Sequence, residues 1–206
     1  MDKNQIRLNE DERDCLQELM NISFASATAA VSKIIDKFAT LGIPKIETIS
    51  ATKLKEHLIE SLVTNNSFYM ASQLINGQIS GENLFIIDSK SSKNLAKEFD
   101  LDEDEIDENE IKDIVLEITN ILSSTTSAKL ADLIKASISF SSPKVSFFDS
   151  LSEFNKQFQC NYENIIIIST QLKFEDQQIN GELVVMTNKE SSIYLKKALN
   201  IVLEEY

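Results

Sequence analysis

The octet DCLQELMN, residues 14 to 21, and the octet DIVLEITN, residues 113 to 120, share one skeleton: Asp, three residues, Glu, two residues, Asn. The offset between them is 99 residues, and it holds beyond the octets. Pro44 and Pro143, the only prolines in the chain, each stand 23 residues after the Asn of their octet. Pro-Lys-Ile at 44–46 meets Pro-Lys-Val at 143–145. Farther on, Gln78-Ile79-Ser80-Gly81-Glu82 meets Gln178-Ile179-Asn180-Gly181-Glu182 at an offset of 100, which predicts a single insertion between. Self-similarity at a fixed period marks an internal repeat.

Each half reads as the same run of elements. A long helix is expected from Asn9, a good N-cap with Glu12 three residues on. Leu16, Leu19, Ala27, Val31, Ile34, Ile35 and Phe38 recur at three- and four-residue steps, and Gly42 with Pro44 is read as the stop. A strand (PKIETIS, 44–50), a short helix (53–63), a hairpin turning at Asn76-Gly77 and a helix (90–99) follow. The acidic run 102–110 suits a helix N-terminus, and a second long helix is expected over 108–136. Then come a strand (143–150), a short helix (151–158), two strands (164–174 and 178–187) and a closing helix from 191. The expected class is α/β (α+β): pseudo-twofold duplicated helix-strand-helix-hairpin-helix units sharing a mixed or antiparallel sheet. With no Pro/Gly-rich linker, we expect one domain over 1–206, built of pseudo-repeats 9–100 and 101–206.

Composition narrows the functions. The formal net charge of −13 repels phosphate backbones and anionic lipid, so neither nucleic acid nor membrane is expected as a partner. A partner with a basic or metal-bearing face fits better. No purely apolar run exceeds four residues, as at Ile165–Ile168, which is too short to span a bilayer, and the N-terminal residues lack the apolar core of a signal peptide. Cys15 and Cys160 stand in no metal-binding spacing and read as reduced thiols, so a cytoplasmic protein is expected. A single histidine, His57, cannot build a metal cluster or a Ser/His/Asp triad alone. Chemistry must therefore rest on Asp, Glu, Asn, Ser or Lys.

The repeated octet supplies such groups. At 3.6 residues per turn, positions i, i+4 and i+7 lie within an arc of about 60°. Asp14, Glu18 and Asn21 thus share a helix face, as do Asp113, Glu117 and Asn120. The apolar stripes run elsewhere, through Leu16 and Leu19 in one helix and Val115, Ile118 and Leu122 in the other. Exposed polar residues need no function. Asn, however, is disfavoured inside a helix because its amide competes with the backbone. Two such residues at equivalent mid-helix sites are functional candidates.

The pattern Asp or Ser, x3, Glu, x2, Asn, x22, Pro resembles the active-site signature of the CheC/CheX/FliY phosphatases of bacterial and archaeal chemotaxis. Both copies match it in full, and residues 18–35, ELMNISFASATAAVSKII, also resemble the family's helix beyond the Asn. Two intact motifs are similar to CheC, whereas CheX keeps one; no FliY-type extension is expected after the second repeat. Ser23, Phe24 and Ala25 stand where the family usually has glycines; the stretch after Asn120, Ile121-Leu122-Ser123-Ser124-Thr125-Thr126-Ser127, also lacks glycine but is rich in small residues.

The resemblance implies a chemotaxis protein that removes the phosphoryl group from the aspartyl-phosphate of a CheY-type response regulator. Hydrolysis of that kind asks the phosphatase for a positioned water and electrostatic stabilisation. Asn21 and Asn120 would orient the water, a task suited to a neutral amide that both accepts and donates. Glu18 and Glu117 would pair with the regulator's lysine. Asp14 and Asp113 would support the helix or the docking edge, and Pro44 and Pro143 would be structural. No cofactor of its own is implied, because the regulator supplies the Mg²⁺. An alternative remains open: a weakly catalytic or non-catalytic partner of the CheD receptor deamidase or of the phosphorylated regulator. A monomer is expected, since one chain carries both sites. A structural subunit with no site is disfavoured by the duplicated proline spacing.

Overall fold

The structure, a computed structural model, describes residues 7–61, 67–99, 101, 106–157, 164–174 and 176–205. Cys160 and residues 102–105 of the acidic run lie outside them. The first long helix, α1 (Glu10–Ile35), starts as its sequence demands: the Asn9 side chain accepts from the Glu12 N–H, and Glu12 accepts from the Asn9 N–H. Its end departs from expectation. Asp36 takes the left-handed conformation (φ 49°) and closes the helix six residues before Gly42. Asp is among the few residues that visit this region readily. Leu16, Leu19, Ala27, Val31 and Ile35 are buried as the periodicity predicts. Ile34 and Phe38 are not: they are 47% and 83% exposed.

The strands β1 (Thr40–Leu41) and β2 (Lys45–Ser50) precede α2 (Ala51–Ser61). The hairpin β3 (Phe68–Gly77) and β4 (Gly81–Asp88) leads into α3 (Ser89–Lys97). The second long helix, α4 (Glu108–Leu133), is capped by Asp107, which accepts from the Asn109 and Glu110 N–H groups. The second half continues with β5 (Ile138–Phe140), β6 (Lys144–Phe148), α5 (Leu151–Gln157), β7 (Asn164–Phe174), β8 (Ile179–Thr187) and α6 (Lys189–Glu204). The short strands β1 and β5 were not anticipated. The Asn76-Gly77 turn is also displaced. β3 runs through both residues because they pair with β5, and Gly77 (φ 129°) lies so close that a Cβ would fall 2.4 Å from the Ser137 carbonyl.

The eight strands form one antiparallel sheet in which the halves interlock. Its path is β1-β7-β8-β4-β3-β5, with β2 also pairing β7 and β6 also pairing β3. Each half thus lends its β2 or β6 to the other half's hairpin. β4 and β8 meet at the centre, where Leu84 lies opposite Val184, its equivalent at an offset of 100. The pseudo-dyad passes through that pair.

The register corrects the expected single insertion. Lys45 pairs Ser169 and Lys144 pairs Ser72, so an offset of 99 in one strand faces an offset of 97 in the next. Leu74 and Gln171 keep that offset of 97, while their partners Glu82 and Glu182 differ by 100. The second half is therefore two residues shorter before its hairpin and three longer within it.

Alternation along the strands sorts the core into two layers. Tyr69, Ala71, Phe85, Ile87, Ile166, Ile168, Leu183 and Val185 face α1, α3, α4 and α6. Phe68, Leu84, Ile86, Ile167, Val184 and Met186 face α2 and α5, where Phe68, Phe148 and Phe154 form an aromatic cluster. The helices α1 and α4 pack against each other across the first face.

Candidate functional site

Asp14 and Glu18 are exposed on α1, and Asn21 is half-buried beside them. Asp113, Glu117 and Asn120 are exposed on α4. Each triplet shares a helix face, and each Asn lies mid-helix. The prolines are not part of these faces. Pro44, buried, and Pro143, half-buried, immediately precede β2 and β6. In each half the long helix and the loop before the proline border the same place. On α1 this is a groove of 440 Å³ lined by Asn21, Phe24 and Thr28 from the helix and by Phe38, Leu41 and Gly42 from the connection.

The two Asn residues are held differently. Asn120 Oδ1 accepts a hydrogen bond from Gln73 Nε2 at 2.9 Å. The same Nε2 donates to the Ser141 carbonyl, also at 2.9 Å. Gln73 is 2% exposed and rises from the helix-facing side of β3. Asn21 makes no side-chain hydrogen bond among the described residues. The register explains why. Thr170 occupies the place of Gln73, and its hydroxyl reaches only Gly42, whose carbonyl it meets at 2.8 Å. Gly42 is the counterpart of Ser141 at an offset of 99. The carbonyl anchor is thus common to both halves, while the reach to the Asn is particular to the second.

The layer beneath each site diverges in step. Asn83 lies directly opposite Gln73 in the β3–β4 ladder. Its Nδ2 donates to Ser123 Oγ at 2.6 Å and to Ser127 Oγ at 2.8 Å. In the first half the corresponding residues are Leu183, opposite Thr170, with Phe24 and Thr28 on the helix. Phe24 is 2% exposed and joins the core with Leu183. Its bulk therefore fills the interior and leaves the outer face of α1 to Asp14 and Glu18.

Gln73 was missed at the level of sequence, although a signal existed. In Tyr69, Ala71, Gln73 and Ile75, alternation puts a glutamine on the core face of a strand, and an uncharged buried amide needs a partner. Among the described residues, no group of three or more His, Cys, Asp and Glu is disposed to hold a metal, and no helix is long and apolar enough to cross a membrane.

No family model and no curated protein sequence matches the chain. Solved structures do. FliY from Thermotoga maritima superposes with a TM-score of 0.73 at 18% identity, over 95% of this chain and 98% of that one. The structural likeness spans both repeats. This is the CheC/CheX/FliY fold. The chemotaxis protein CheX from Desulfovibrio desulfuricans follows at a TM-score of 0.57 and 16% identity, over 83% of this chain and 99% of that one. The fold extends to FliM: the chain from the FliG–FliM complex of H. pylori gives 0.61 at 12% identity, over 92% and 100%.

Proposed function

We propose that this protein acts in chemotaxis as a phosphatase of a phosphorylated CheY-type response regulator. The observation that carries the reading is the pair of Glu-x-x-Asn faces, Glu18 with Asn21 and Glu117 with Asn120, on equivalent helices of a CheC/CheX/FliY fold. The phosphoryl group, the Mg²⁺ and an active-site lysine belong to the regulator. The phosphatase contributes an amide that orients the attacking water and a carboxylate that pairs with the lysine. Placing both on one rigid helix fixes their separation, which is how positioning lowers a barrier with no covalent step. Asp14 and Asp113 extend each face by one turn and offer a negative edge to the regulator.

A second reading has its own support. Phe38 and Ile43, 83% and 74% exposed, flank the first site where the second has Ser137 and Ser142. FliM, a neighbour in fold, occurs in a complex with FliG. The first face would then serve to bind a partner, the regulator or a CheD-type deamidase, with the second face carrying catalysis.

The test is phosphoryl loss from a phosphorylated CheY-type receiver with Mg²⁺ present. Wild type accelerates it, and Asn21→Ala with Asn120→Ala returns the rate to that of the receiver alone. Full activity in the double variant would reject these residues as the catalytic pair.

A further inference from the structure

We infer that Gln73 is the positioning residue of the second site, and that it makes the two sites unequal. The inference rests on the phosphatase reading for its consequence but on geometry for its substance.

A side-chain amide can be turned end for end, so its orientation must come from its partners. Here one partner is unambiguous. The Ser141 carbonyl only accepts, so the Gln73 atom 2.9 Å from it is the Nε2 donor. That nitrogen carries two hydrogens, and the second points to Asn120 at 2.9 Å. The Asn120 atom that meets it must be an acceptor, which is Oδ1. A main-chain carbonyl of the β5–β6 connection thereby sets the orientation of the Asn120 amide through one intermediary. The Asn120 Nδ2 group is directed away from Gln73, and among the described residues no second donor meets Oδ1, which leaves a lone pair to accept from a water.

Burial makes the clamp rigid. Gln73 is 2% exposed and flanked in the ladder by Asn83, itself fully buried and bonded to α4 at Ser123 and Ser127. Asn120 alone, on an exposed helix face, would sample its χ rotamers freely. Held by Gln73, it starts the reaction already oriented. Asn21 lacks this, because Thr170 is too short to reach past Gly42. Gln73 touches neither receiver nor phosphoryl group and acts wholly through Asn120.

The experiment uses full-length protein carrying Asn21→Ala, so that only the second site reports. Gln73→Thr copies the residue that the first half tolerates at this position. Gln73→Met keeps length and packing without the donor and guards against a folding artefact. With a phosphorylated CheY-type receiver, kcat falls about fivefold, the worth of one net hydrogen bond, while KM is unchanged. In parallel, NMR relaxation reads the Asn120 Nδ2H2 group. In the wild type its order parameter exceeds that of Asn21, and in either Gln73 variant it drops to the Asn21 level. Equal order at Asn120 and Asn21 in the wild type, or an unchanged kcat in both variants, would overturn the inference. Should no receiver be hydrolysed even by wild type, the phosphatase reading fails, and the relaxation data still decide the clamp.

Discussion

Where α4 covers a polar cross-strand pair on the sheet, α1 covers a largely apolar one. Gln73 and Asn83 stand side by side in one, Thr170 and Leu183 in the other. The helix residues above them changed together: Ser123 answers Asn83, and Phe24 shares the core with Leu183. Two neighbouring positions also exchange size. Met20 and Ser23 are buried in α1 where Thr119 and Leu122 are buried in α4. The helices α1 and α4 pack on each other, so both copies of these positions lie in one shared core. The duplication thus kept its outer faces alike while its inner faces specialised. One consequence is an Asn held by the sheet and another that, among the described residues, makes no side-chain hydrogen bond.

The largest expected effect on this comparison comes from Phe24→Ala. It empties a fully packed position of the apolar layer and costs about 3–5 kcal/mol in urea unfolding. The counterpart change, Ser123→Ala, removes one hydroxyl and costs about 1 kcal/mol. Equal losses would mean that the two layers are not energetically distinct.

Next is Asn83→Leu, which imposes the first half's residue on the second. It leaves Ser123 and Ser127 without the Nδ2 donor and costs about 2 kcal/mol. Much of that returns when Ser123→Ala is added, since removing both partners spares an unmet group. A double-mutant cycle with no coupling would break the proposed link between them.

The smallest effect lies at the start of the helices, where Glu12 of α1 corresponds to Ile111 of α4. Glu12 is 1% exposed. Burial pushes its carboxyl upward, but the Asn9 N–H, the Asn200 amide and the Lys196 ammonium outweigh that, and the net pKa is lowered. A lowered folded pKa stabilises the protein above the unfolded glutamate value of about 4.3 and ceases to do so as pH falls through the folded value. Glu12→Gln therefore costs about 1 kcal/mol at neutral pH, the Lys196 partner being partly solvated. The difference from wild type vanishes in strong acid. Urea midpoints from pH 7 to pH 3 check this; a gap that widens on acidification would contradict the assignment.

Much of this was legible in the sequence because its signals are local. The Asn9–Glu12 capping box, the apolar steps from Leu16 to Val31 and the hairpin alternation each act within a few residues. Non-local pairing hid the rest. The end of α1 turned on Asp36 adopting a left-handed conformation, not on Gly42. The strands β1 and β5 are too short to carry a pattern and exist because β7 and β3 offer open edges. The two length changes around the second hairpin nearly cancel, so anchors at offsets of 99 and 100 concealed them. Gln73 lies 47 residues from Asn120, and only the sheet register brings them together.

The most direct test of the account compares the two single variants. Phosphoryl loss from a phosphorylated CheY-type receiver is measured with Asn120→Ala and with Asn21→Ala under identical conditions. With a second site about fivefold faster than the first, Asn120→Ala lowers the rate about sixfold and Asn21→Ala by less than about twofold. Equal losses, or a larger loss for Asn21→Ala, would contradict unequal sites built on one duplicated frame.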